Sequence, residues 1–137
     1  MAHEHAMPAD LTRNQELVLG ALNHAPAPLS AYDILDRLRG DGLRAPLQVY
    51  RALDKLVERG LAHRLESLNA FVACADAHCH RKGLIAFAIC EGCGKVDEFA
   101  DAVIEERLGG WAAREGFKVE RTTMEIRGKC AACLQAA

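Results

Sequence analysis

Apolar residues recur at helical spacing in three successive N-terminal stretches, and each stretch is closed by residues that stop a helix. Leu17, Val18, Ala21 and Leu22 follow Leu11-Thr12-Arg13-Asn14-Gln15 at intervals that share one helix face, until Pro26 and Pro28 end the run. Ser30 is placed to cap a second helix through Ala31, Ile34, Leu35 and Leu38, and Gly40-Asp41-Gly42 tolerates the positive φ that closes it. Pro46 suits a first helical turn, and Val49, Leu53, Leu56 and Val57 give the third helix an apolar stripe that ends at Gly60. On another side of that helix Arg44, Gln48, Arg51 and Lys55 recur at steps of four, three and four. Gln and Arg hydrogen-bond base edges and Lys meets phosphate, so this face fits a helix that enters a major groove, although an ordinary solvated face has the same look.

The period then changes from helical to alternating. Residues 61–67 alternate, Leu68-Asn69-Ala70 suggests a tight turn, and residues 71–74 return as a second short strand. Three helices and a hairpin predict a winged helix. A two-residue loop at Leu68 and Asn69 sets position 67 opposite 70 and His63 opposite Cys74, close enough for the two to share a metal ion. The polar stretch of residues 75–83, with His78, Cys79 and His80, reads as a hinge.

Beyond the hinge the pattern predicts a strand at 84–89, a turn, a strand at 95–99, a helix at 100–115 and a return strand at 117–127. The turns that bracket this unit are Cys90-Glu91-Gly92-Cys93 and Cys130-Ala131-Ala132-Cys133. Each Cys-x-x-Cys brings two sulfurs onto one metal, and two such turns close a tetrahedral zinc shell with no open position, as structural sites do. Fold class is therefore α+β: a winged helix over residues 1–74, a hinge over 75–83 and a zinc-clamped α/β unit over 84–137. Trp111 and Phe99 have the apolar company of core or subunit-interface residues. Asp97 and Glu98 are neighbours on one strand and face opposite ways, so one of the two at most can ligate a given metal.

Composition narrows the chemistry. The 137 residues suit one compact domain or two very small ones, which need a metal or a second copy as reinforcement. No secretory signal or membrane-length apolar run is present, which favours a reducing cytoplasm where the six cysteines bind metal rather than each other. Formal net charge is −2, and splitting the chain after Arg64 leaves 8 basic and 8 acidic residues before it and 9 and 11 after it. Neither half is a basic tail, so a DNA reading rests on local pattern. His3 and His5 lie in a terminus without periodicity, and His24 reads as a residue at a helix C-terminus.

Four strings now stand in order: Leu29-Ser30-Ala31-Tyr32, then Val49-Tyr50-Arg51-Ala52-Leu53, then His63-Arg64-Leu65-Glu66-Ser67-Leu68-Asn69-Ala70-Phe71-Val72, then Cys90-Glu91-Gly92-Cys93-Gly94-Lys95-Val96. Together they resemble the ferric uptake regulator family over residues 10–133, most closely its zinc uptake regulators. The resemblance implies a homodimer of winged-helix and zinc-clamped dimerisation domains that represses zinc-acquisition genes when zinc is bound. It implies two zinc ions per chain, one structural at the four C-x-x-C sulfurs and one regulatory. The regulatory ligands it implies are His63, Cys74, a hinge residue and Glu98, with His80 preferred at the hinge and His78 or Cys79 as alternatives. A mixed imidazole, thiolate and carboxylate set suits Zn²⁺ over Mg²⁺, Ca²⁺ or Mn²⁺. Zinc at these residues would fix the two reading helices at the separation an inverted-repeat operator requires. Tyr32 would then meet a base through a thymine methyl and Arg51 would donate to a purine edge, with Arg44, Gln48 and Lys55 on phosphates or in secondary contacts.

The alternative is an iron-responsive or a peroxide/thiol-responsive regulator of the same family. Iron and peroxide sensors in it typically carry a histidine before the second helix and a His-x-His before the first zinc turn. Those stretches here read Ala27-Pro28-Leu29 and Ile85-Ala86-Phe87. A zinc hydrolase or deaminase is disfavoured, because no His-x-Glu precedes a Pro-Cys-x-x-Cys and no general base is linked to an open metal position. No small-molecule substrate and no membrane is implied.

Overall fold

A computed structural model of the chain describes residues 10–74 and 84–136. It divides into two compact units, Met1–Ala77 and His78–Ala137. The hinge residues 75–83 lie outside the described residues, as do His3 and His5.

The first unit opens with three helices, α1 (Arg13–His24), α2 (Ala31–Leu38) and α3 (Pro46–Glu58). Reciprocal caps start the first two. Thr12 Oγ1 accepts from Gln15 N while Gln15 Oε1 accepts from Thr12 N, each at 3.2 Å, and Ser30 and Asp33 repeat the exchange at 3.1 Å. His24 ends α1 by donating from Nδ1 to the Gly20 carbonyl at 2.7 Å. The apolar stripes meet in one core in which Val18, Ile34, Leu43, Val49, Leu53 and Leu56 are wholly buried. Each such side chain contributes roughly 1.5–3 kcal/mol relative to an exposed one.

The hairpin of β1 (Ala62–Leu65) and β2 (Ala70–Ala73) completes the winged helix, and Phe71 also pairs with Leu29. Its register corrects the expected one. Leu65 faces Ala70 and His63 faces Val72, so the loop is the four residues 66–69 rather than two. Asn69, at φ +48°, takes the left-handed position of that longer loop. Cys74 donates its backbone N–H to the Leu61 carbonyl at 2.9 Å, which leaves Cys74 diagonal to His63 instead of opposite it.

The second unit is a three-stranded sheet with β3 (Leu84–Cys90) between β4 (Val96–Phe99) and β5 (Thr122–Gly128). β4 returns antiparallel, whereas β5 lies parallel to β3 and is reached through α4 (Ala102–Glu115). The return strand begins at Thr122 rather than 117. Gly116 closes α4 at φ +64°, Phe117 donates back to the Ala112 carbonyl at 2.8 Å, and the Phe117 ring folds against Trp111 with centroids 5.5 Å apart. A final helix, α5 (Ala131–Ala136), was not expected, being too short to show a period. The core of this unit is Leu84, Ala86, Phe87, Ile89 and Cys90 with Ala112, the one buried residue of α4. Trp111 is 47 % exposed, which removes it from the core of its own chain.

Candidate metal centres and reading helix

Two backbone turns build the four-sulfur site. The β3–β4 hairpin closes with Cys90 N donating to the Lys95 carbonyl at 2.8 Å and Gly94 N to the Cys90 carbonyl at 2.9 Å, with Gly94 at φ +79°. Glu91 N donates to the Gly128 carbonyl at 2.8 Å and so ties this hairpin to the end of β5, where Cys130 begins the second turn. The sulfurs of Cys90 and Cys133 lie 3.6 Å apart, and those of Cys93 and Cys130 3.8 Å. All four lie within 4.8 Å of one another. Four sulfurs at 2.3 Å from a central zinc would stand about 3.8 Å apart, so these spacings fit the edges of a zinc tetrahedron. Disulfide bonding is excluded, since the four are free thiols.

The electrostatics fit a cation as well. Cys90 Sγ accepts backbone N–H groups from Cys130 at 3.3 Å and Cys93 at 3.5 Å. These donors, Cys130 first, hold the Cys90 thiol down to about 6, while the neighbouring sulfurs, Cys90 first, push Cys133 up to about 12. Sulfurs this close cannot all ionise alone. A divalent cation removes the conflict, and no fifth ligand or open position is required. Gly92 sits inside the turn, and a Cβ there would come within 2.8 Å of Cys133 Sγ.

The wing holds a second pair of donor side chains. His63 is the one buried polar side chain among the described residues, and a ring nitrogen of it lies within 4.8 Å of Cys74 Sγ. Diagonal neighbours share a face of the hairpin, which is why this pair meets despite the shifted register. Cys74 can act as a metal ligand only as the thiolate. His78, Cys79 and His80 lie outside the described residues. In the second unit Glu98 pairs with Phe87 and is half-buried, whereas Asp97 pairs with Ala88, is exposed and reaches Lys95 at 3.4 Å.

Tyr32 projects from the first turn of α2 at 62 % exposure. On α3, Arg51 and Lys55 are exposed, and Lys55 reaches Glu58 at 3.3 Å. Arg44 lies in the turn before the helix rather than on it. Gln48 has a job that the face pattern concealed. Its Oε1 accepts from the backbone N–H groups of Arg44 and Ala45 at 2.9 and 3.1 Å, capping a helix whose N-cap residue is an alanine. Leu47 and Tyr50, on the same helix, are exposed apolar side chains that lie outside its apolar stripe.

A winged helix joined in one chain to a sheet that carries four convergent thiols defines a helix-turn-helix protein with a second unit fit to hold a metal ion. Residues 9–127 match the model of the ferric uptake regulator family, and the chain belongs to that family. It is 38% identical over 128 residues to the zinc uptake regulation protein of Escherichia coli K12, covering 91% of this chain and 73% of that one. A solved zinc uptake regulator complexed with zinc and DNA superposes with a TM-score of 0.84 at 36% identity, over 91% of this chain and 83% of the other. The crystal structure of holo XcZur gives 0.81 at 38% identity, over 93% and 87%. These similarities favour a regulator over an enzyme.

Proposed function

We propose that this protein is a zinc-responsive DNA-binding repressor of zinc uptake genes, acting as a homodimer on an inverted-repeat operator. The observation that carries the zinc reading is the buried His63 beside Cys74 on the wing, a donor pair outside the four-sulfur centre. Similarity to a zinc uptake regulator complexed with zinc and DNA supports the same conclusion. The chain then takes two zinc ions: one at Cys90, Cys93, Cys130 and Cys133, and one at His63 and Cys74 with Glu98 and a hinge residue, His80 before His78 or Cys79. One thiolate among harder donors permits exchange where four do not. Bound zinc supplies a crosslink between wing and second unit, so that the ordering cost of presenting two reading helices is met before DNA arrives.

Tyr32, Arg51, Arg44, Gln48 and Lys55 form the reading surface, with Gln48 restricted to donation because its oxygen caps α3. The partner copy covers the exposed Trp111, Phe117 and Ile126 of the second unit, which α4 and the edge strand β5 leave open within one chain. No described helix is long and apolar enough to cross a membrane, in keeping with work in the cytoplasm beside the chromosome.

The test is fluorescence anisotropy on the promoter of a zinc-uptake gene, under reductant, against free zinc buffered over several decades and beside manganese and ferrous iron. Affinity should rise with zinc alone, and His63→Ala should remove the rise while the protein stays folded. Metal-independent binding, or a response to iron, refutes the reading.

A further inference from the structure

Leu47 breaks the pattern of α3. The apolar residues Val49, Ala52, Leu53 and Leu56 are buried, yet Leu47, the second residue of the helix, is 57 % exposed. One exposed leucine is ordinary on a protein surface; its position is what sets this one apart. It precedes Arg51 by one helical turn and so lies on the same exposed side. The turn that carries it is held rigidly, by Pro46 at the first helical position and by the Gln48 carboxamide bridging the Arg44 and Ala45 amides.

The first turn of a helix docked in a major groove is the part that meets base edges. An alkyl side chain there has a single distinctive partner, the C5 methyl of thymine, since every other major-groove feature is a hydrogen-bond donor or acceptor. We propose that Leu47 is a specificity-determining residue that reads a thymine methyl in each operator half-site. Gln48 complements it, because its amide nitrogen alone remains to be offered to a base, and that suits acceptors such as thymine O4 or guanine N7. The inference rests on DNA binding by α3.

The test uses a duplex selected from a random pool by the zinc-loaded, reduced protein, with each thymine replaced in turn by deoxyuridine, which lacks only the methyl. Wild-type protein should lose affinity about fourfold per methyl at one thymine of each half-site that Leu47→Ala no longer senses. Leu47→Met should retain that sensitivity. Thymines read by other side chains, Tyr32 included, should stay sensitive in all three proteins. Identical deoxyuridine profiles for wild type and Leu47→Ala overturn the proposal while leaving DNA binding intact. So does a Leu47→Ala defect confined to the number of dimers loaded on the duplex. Failure to select any duplex removes the DNA-binding reading itself.

Discussion

Replacing Gly92 with alanine adds one methyl group where the four sulfurs converge. That carbon would sit 2.8 Å from Cys133 Sγ, 3.2 Å from Cys133 Cβ and 3.6 Å from Cys90 Sγ. A comfortable carbon–sulfur contact is about 3.7 Å, so the overlap with Cys133 is close to 1 Å, and zinc–sulfur distances tolerate shifts of only ~0.2 Å. Cys133 must retreat or the turn must open, and either movement spoils one metal bond. Overpacking of this size costs about 1–3 kcal/mol, which lowers zinc affinity roughly 5- to 150-fold. Competition with a chromophoric chelator would read the loss, alongside the thermal midpoint of the zinc-loaded protein. Gly40→Ala is the control, because nothing lies within 4 Å of a Cβ there. If Gly92→Ala holds zinc as tightly as wild type, the closed four-sulfur arrangement described for this turn is wrong.

In metal-free protein the joint contribution of Cys90 and Cys133 to stability should be largest near pH 9. Cys90, held down to about 6, contributes stability that is lost as pH falls from its ordinary value of 9 toward 6, and Cys133, pushed up to about 12, contributes stability that is lost as pH rises from 9 toward 12. Urea denaturation of chelator-treated, reduced protein across this range checks both limbs. Removing the wing donor pair with His63→Ala should lower zinc content by about one ion per chain, measured by metal analysis after gel filtration. Thr12→Ala should cost about 1 kcal/mol by removing the cap of α1, read in the same denaturation experiment. Trp111→Ala should weaken self-association with little loss of secondary structure, measured by sedimentation equilibrium and circular dichroism, because Trp111 is 47 % exposed within one chain.

Sequence by itself determined what depends on neighbours along the chain. The three helices, the cap at Ser30, the proline at the first position of α3 and the paired Cys-x-x-Cys turns all follow from local spacing and local hydrogen bonds. Tertiary structure decided what depends on the number of residues in a loop and on which atoms reach across it. Four loop residues instead of two moved His63 from opposite Cys74 to opposite Val72, because strand register follows the turn that closes it. The two remain near one another because a shift of two positions keeps a side chain on the same face. Gln48 reads as a surface glutamine until the backbone shows two amides before α3 with no side-chain oxygen at the N-cap to receive them. Gly92 reads as a flexible turn residue until the second Cys-x-x-Cys arrives from the far end of β5 and fills the space a side chain would need. Spacing names the residues that can hold a metal; only the folded backbone fixes how closely their neighbours may approach it.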